Sequence, residues 1–254
     1  MEPILEVKGL SIAFQQYDAG TRQRRLPVIR DLSLSIGAGQ VVAVVGSSGS
    51  GKSLLAHGIL GILPYNAAME GEIRYDSERL TPERVEALRG REIVLVPQGV
   101  TYLDPLMKVG PQIRRGKRSP EARAKSRSVL ERYGLGAETE ELYPFELSGG
   151  MARRVLISTA VMETPRLVIA DEPTPGLDAR AAGRILGHFR EIADAGAGML
   201  LITHDLELAL TIADRVVVFY AGETVEEADA ADFAAGRLRH PYTRALWRAL
   251  PQNG

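Results

Sequence analysis

Cysteine is absent from the 254 residues, which excludes disulfides, thiolate metal sites and cysteine-held iron–sulfur clusters on this chain. Long apolar runs are missing too. VVAVV (41–45) and MLLI (199–202) are among the longest, far below the roughly 20 residues that a membrane-spanning helix needs. Neither sign of charge dominates: 31 Lys and Arg stand against 32 Asp and Glu, for a formal net charge of -1. No whole-molecule field therefore draws the chain to nucleic acid or to an anionic membrane. Aromatic residues make up only 6% and none interleaves the one basic run, 113–132. That run lacks the stacking pattern of a single-strand binder, so it reads as a solvated helix face and no nucleic acid is expected. The first ten residues, MEPILEVKGL, carry no basic-then-apolar secretory pattern, and a cytosolic protein is expected. What is present, 45% hydrophobic and 25% charged residues, suits an ordinary globular chain with a sizeable core.

Two kinds of strand pattern occur. Residues 4–14 and 32–36 alternate apolar with polar, as antiparallel strands with one solvated face do. VVAVV (41–45), IVLVP (93–97), LVIAD (167–171) and GMLLIT (198–203) are continuously apolar, the pattern of strands buried on both faces of a parallel sheet. Helical periodicity follows most of them, over 52–62, 151–163, 180–195 and 206–213, so an α/β fold with crossover helices is predicted. The stretch between Pro97 and residue 151 has a different texture and reads as an inserted helical lobe. Residues 226–239 read as a helical, polar tail.

Between Val45 and Lys52 lie only glycines and serines: Gly46, Ser47, Ser48, Gly49, Ser50 and Gly51. With Lys52, Ser53 and Leu54 behind them they fit G-x-x-x-x-G-K-[ST], set between a buried strand and a helix that starts near Lys52, as a phosphate loop requires. Bare backbone can curl its N–H groups onto phosphate oxygens, and the helix N-terminus adds positive potential. Lys52 suits the β- and γ-phosphates, and the Ser53 hydroxyl suits Mg²⁺. A flexible Gly/Ser turn is the plainer alternative, disfavoured by the strand before it and the helix after it. Asp171 and Glu172 end another buried strand, the first placed to hold a Mg²⁺ shell and the second to polarise a water. His204 ends a third such strand and can donate to a γ-phosphate. LSGGMARR (147–154) puts Ser148, Gly149 and Gly150 before a helix, a second anion-binding N-terminus.

These motifs, in this order, resemble the ATP-binding cassette (ABC) family over nearly the whole chain. The resemblance implies ATP and Mg²⁺ as ligands and ATP hydrolysis as the activity. It identifies Ser148–Gly150 as the signature, Gln98 in VPQG as the Q-loop residue at the metal and the reacting water, and Asp171 and Glu172 as the Walker B acid and the catalytic glutamate. It makes Asp178 in PGLD the D-loop residue and His204 the switch histidine. Phe14, or else Tyr17, is the adenine-stacking aromatic; a core role for Phe14 is the plainer reading. Met151 stands where many members have glutamine, and PGLD lacks the usual small pair before leucine. Two cassettes are implied to pair head to tail, each signature closing on its partner's nucleotide. One cassette domain over 1–254 is implied: a RecA-like parallel-sheet core with an antiparallel β subdomain (1–98 and 159–225), an α-helical subdomain (99–158) and a tail (226–254).

HPYTRALWRALP (240–251) and LYPFELSGGM (142–151) are similar to segments of the ATPase subunits of peptide, dipeptide and nickel importers. That branch implies a second ATPase subunit, identical or different, two membrane permease subunits and an extracytoplasmic solute-binding protein. It implies a location at the inner face of the cell membrane. As residues alone, Tyr242, Leu246, Trp247 and Leu250 lie at helical spacing and form a packing stripe. The stop soon after this segment, with no cysteine, leans toward nickel or a metal chelate over peptides. A cassette ATPase without a transporter, acting in translation or DNA repair, is the alternative. A single cassette, with too short a Gln98–Ser148 segment for a long coiled coil, speaks against it.

Overall fold

A computed structural model describes residues 2–17, 23–47 and 49–250. Strands β1 (Leu5–Tyr17) and β2 (Gln23–Ile36) pair antiparallel and run further than their apolar alternation. The added length carries exposed polar pairs, Gln15 opposite Arg25 and Gln16 opposite Arg24; backbone pairing holds them, which hydrophobic periodicity does not register. Next come β3 (Val41–Val45) and α1 (Lys52–Ile59). They are followed by β4 (Ala67–Tyr75), β5 (Glu78–Arg79), α2 (Pro82–Leu88) and β6 (Ile93–Val96). Three helices then intervene, α3 (Val109–Ile113), α4 (Pro120–Arg132) and α5 (Gly149–Val161). Strand and helix alternate again in β7 (Leu167–Asp171), α6 (Ala179–Asp194), β8 (Gly198–Thr203) and α7 (Leu206–Leu210). The chain closes with β9 (Arg215–Tyr220), β10 (Glu223–Asp229), α8 (Ala230–Ala234) and α9 (Pro241–Arg248).

The strands form two sheets. One is antiparallel, in the order β2-β1-β4-β5; the other runs β10-β9-β3-β8-β7-β6 and is parallel apart from its β10 edge. An antiparallel sheet beside a parallel core is the α/β architecture that the resemblance implied. Alternate residues of one strand serve two different cores, as a pleat of period two demands. Val41, Ala43 and Val45 pack with α5 and α6, whereas Val42 and Val44 pack with α1 and the antiparallel sheet. Burial on both faces is why these strands are continuously apolar. Helix α6 presents Ala182, Ile185, Leu186, Phe189 and Ala193 on one stripe, all buried, and each of its larger side chains contributes about 1.5–3 kcal/mol by burial.

The helices between β6 and β7 have a core of their own, including Val109, Ile113, Leu130, Val155 and Leu156. The basic run is not uniformly solvated. Arg114 is buried and donates at 2.7 Å to the buried Glu140 carboxylate, which Arg127 also approaches at 3.6 Å. The expected helical tail over 226–239 is corrected: Glu223–Asp229 is a strand paired with β9, and only Ala230–Ala234 is helical there. Pairing with β9 overrides the local helix preference of EEAD, and Glu226 accepts from the backbone N–H groups of Arg239 and His240 at 2.7 and 2.9 Å. Strand β10 thus runs across residue 226, where the tail was expected to begin. The stripe of Tyr242, Leu246, Trp247 and Leu250 packs on the helical side of the parallel sheet.

Candidate functional site

At two positions of the loop between β3 and α1 the surroundings leave no room for a side chain. A Cβ on Gly46 would stand 2.1 Å from the carbonyl oxygen of Phe219 in β9, and one on Gly51 2.7 Å from Val28 Cγ1 in β2. Gly51 also has φ of 96°, left-handed backbone that favours glycine. Lys52 Nζ is buried and folds back along the loop, donating at 2.8 Å to the carbonyls of Gly46 and Ser47. Burial lowers the ammonium's pKa, and the charges of Glu172 and Asp171 oppose that shift. Leu54 N–H donates to Gly51 and starts the helix. Ser47 and Gly49 are exposed and Ser50 is half-buried; Ser48 lies outside the described residues.

A cleft of about 290 Å³ opens over this loop, lined by Gly49, Gly51, Lys52, Ser53, Leu54, Gln98, Glu172 and Val28. Parallel strands deliver its acids. The Ser53 hydroxyl lies beside the Asp171 carboxylate at the tip of β7, whose buried Oδ1 has no hydrogen-bond partner. Burial raises the Asp171 pKa, and the neighbouring Ser53 hydroxyl works against the rise. A buried, unpartnered carboxylate oxygen is costly unless a cation or donor meets it, so the donor set of Asp171 and Ser53 fits a hard divalent cation.

Glu172 follows at φ 46°, an uncommon conformation for a side chain of its size. Its N–H donates to Ile202 of β8 at 2.8 Å. Its carboxylate accepts from Thr203 Oγ1 at 3.3 Å and lies 2.9 Å from His204 Nδ1 through each oxygen. A carboxylate beside bulk water and a phosphate can take a proton from that water.

Ser148 caps α5, accepting from Met151 N–H at 3.3 Å, which leaves its own O–H to donate elsewhere. Ser148, Gly149 and Gly150 do not line the cleft. Gly150 faces the PGLD segment instead, where a Cβ would come within 3.8 Å of Gly176 O and of Leu177. Asp178 caps α6 through Ala181 N–H at 2.8 Å. Phe14 is half-buried on β1 opposite Leu26 and Ala67, outside the cleft's lining; the side chain of Tyr17 lies outside the described residues. The structure thus gathers Lys52, Ser53, Gln98, Asp171, Glu172 and His204, and keeps the signature apart. Sequence reasoning missed two neighbours, Val28 against Gly51, and Arg153. The buried Arg153 guanidinium donates at 3.2 Å to the carbonyls of both Pro97 and Glu172. A charged residue within the apolar face of a helix was the one available hint.

Comparison with known proteins adds to this geometry. The family model described as ABC transporter matches residues 29–175, more than half of the chain. The oligopeptide transport ATP-binding protein OppD of Lactococcus lactis subsp. cremoris (strain SK11) is 39% identical over 264 residues, covering 98% of this chain and 76% of that protein. The dipeptide transport ATP-binding protein DppD of Bacillus subtilis (strain 168) is 36% identical over 267 residues, covering 99% and 78%. Among solved structures, a dimeric ATP-binding cassette in a post-hydrolysis state bound to ADP and Pi superposes with a TM-score of 0.76 at 25% identity, covering 89% of this chain and 98% of that one. An ATP-binding subunit of an ABC transporter gives a TM-score of 0.73 at 27% identity, covering 91% and 92%. Motif order, cleft geometry and near-complete alignment converge, and the chain belongs to the ABC transporter family as an ATP-hydrolysing cassette.

Proposed function

We propose that the chain powers a multi-subunit membrane importer of di- or oligopeptides by hydrolysing MgATP. The observation that carries this reading is a cleft lined by Lys52, Ser53, Gln98 and Glu172, with Asp171 next to Ser53 and the serine–glycine turn at Ser148 outside it. Loop amides of residues 46–51 grip the phosphates, and Lys52 exchanges its bonds to the loop carbonyls for bonds to the β- and γ-phosphate oxygens. Glu172 takes the proton of the attacking water at its carboxylate, His204 holds that carboxylate and faces the γ-phosphate, and Gln98 orients the water. Ser53, Asp171 and Gln98 would hold Mg²⁺, which supplies charge neutralisation between the β- and γ-phosphates.

Ser148, Gly149 and Gly150 act on the nucleotide of a second cassette, identical or different, across a head-to-tail pair; the D-loop residue Asp178 lies along the same seam. The adenine packs on Phe14 or Tyr17. In this reading residues 1–98 and 159–225 form the catalytic core and 99–158 the helical part that meets a permease subunit. A groove in that part, bordered by exposed Tyr102 and Met107 and by Arg115, Lys117 and Arg118, supports such docking. The described residues contain no helix long and apolar enough to cross a membrane, so the chain would sit peripherally on its permeases at the inner face, fed by a solute-binding protein outside.

The names of the relatives favour peptides over nickel or a metal chelate. Deleting the gene tests this. Loss of growth on a di- or oligopeptide as the only source of a required amino acid, with normal nickel accumulation, is expected. Normal peptide use with lowered nickel accumulation would overturn the peptide reading.

A further inference from the structure

Among the described residues no carboxylate forms a direct ion pair with Arg153, although its side chain is only 9% exposed. It sits on α5 between Ala152 and Val155, both buried and apolar, where a guanidinium is costly and a methionine of similar length would fill the space. What it does instead is bridge. Its Nη1 donates at 3.2 Å to Pro97, the residue before Gln98, and at 3.2 Å to Glu172. The negative charges acting on it are those of Glu172 and Asp171. Glu172 is therefore held on both sides of its Cα. Its N–H is fixed to Ile202 and its carbonyl to Arg153, which together support a φ of 46° that a glutamate seldom adopts.

We propose that Arg153 is a positioning residue for ATP hydrolysis: it ties α5, the helix capped by Ser148, to the two segments that carry Gln98 and Glu172. The Glu172 carboxylate is then aimed only while α5 is seated. This rests on the reading of Glu172 as the base and adds a second requirement to it. Arg153 touches neither the nucleotide nor the water; it acts through the peptide units of Pro97 and Glu172. Removing the donor leaves both carbonyls without it and frees the Glu172 backbone to relax toward negative φ, swinging the carboxylate away from Thr203 and His204.

A double-mutant cycle on the full chain tests it, with Arg153→Met, Arg153→Lys, Glu172→Gln and the combination of Arg153→Met with Glu172→Gln. Arg153→Met is expected to lower kcat at least tenfold while changing the dissociation constant for ATP less than twofold. Arg153→Lys, which keeps a donor, is expected to recover most of the rate. In the Glu172→Gln background, Arg153→Met is expected to cause less than a twofold further loss, because the group it positions is already disabled. Equal losses in both backgrounds, or a kcat for Arg153→Met within twofold of wild type while Glu172→Gln is inactive, would overturn the inference and leave the base assignment intact. Full activity of Glu172→Gln would instead remove the base reading itself. If Arg153→Met does not fold, Arg153→Gln replaces it; a kcat for that variant equal to wild type counts against the proposal and a rate below that of Arg153→Lys at equal Tm supports it.

Discussion

His204 Nδ1 lies 2.9 Å from each carboxylate oxygen of Glu172, so the two residues that directly follow neighbouring strands β7 and β8 work as one unit. A carboxylate accepts, so the Nδ1 position carries the proton and Nε2 faces away from Glu172. Replacing His204 with Ala removes the clamp on Glu172. Steady-state assays are expected to show kcat lower by on the order of 10²-fold, the low end of what an aimed general base contributes. A variant with unchanged kcat and a raised KM would assign His204 to binding instead.

Lys52 forms two 2.8 Å bonds to its own loop, so its ammonium is already aimed at the space the phosphates occupy. Lys52→Ala forfeits a charge-assisted bond worth about 1.5–3 kcal/mol, roughly ten- to a hundredfold in affinity. Equilibrium binding of a fluorescent ATP analogue reads this directly. Wild-type affinity in the variant would remove the phosphate-loop assignment.

Ser148 stands outside the Lys52 cleft, which separates binding from pairing. Ser148→Arg is expected to leave ATP affinity of the single chain within about twofold of wild type and to abolish ATP-dependent dimer formation in size-exclusion chromatography. Impaired nucleotide binding by the monomer would mean that the signature serves its own chain.

The helical segment is joined to the core by a titratable contact. Tyr133, at the end of α4, bonds to His188 Nδ1 on α6, and burial pushes the imidazole from 6.5 down to about 4; Arg132 pushes the same way, and its own partner there is Glu191. The folded protein thus favours neutral His188 while the unfolded chain takes up a proton near pH 6.5. This contribution is complete above pH 6.5 and is lost as pH falls toward 4. Urea unfolding of wild type and His188→Gln across that window should give profiles whose difference shrinks with falling pH. Parallel profiles would show that His188 does not sense pH.

Much of this was legible beforehand because it depends on local chemistry. The doubly buried strands betray themselves by the absence of polar residues at any position, as in VVAVV, and the glycine–serine loop by its place between strand and helix. The rest depends on what distant segments bring. Nothing near Gly51 names Val28 as its neighbour, since the two meet only when β2 lies over α1. EEAD prefers a helix in isolation, and β9 alone makes it a strand. Arg153 looks like one more basic residue of a surface helix until its face is seen to be buried against Pro97 and Glu172. Long-range hydrogen bonds to carbonyls leave no trace in residue type, whereas phosphate loops and acid pairs do.

Glu172 is the proposed base that fires a nucleotide held by the rest of the cleft. Glu172→Gln preserves shape and removes the proton acceptor, so one experiment separates binding from chemistry: ATP turnover and retained ATP measured together on the full chain. Turnover is expected to fall by on the order of 10²–10⁴, with ATP affinity preserved and ATP-bound pairs accumulating because they form but do not fire. Turnover at the wild-type rate, with no accumulation of ATP-bound pairs, would contradict it.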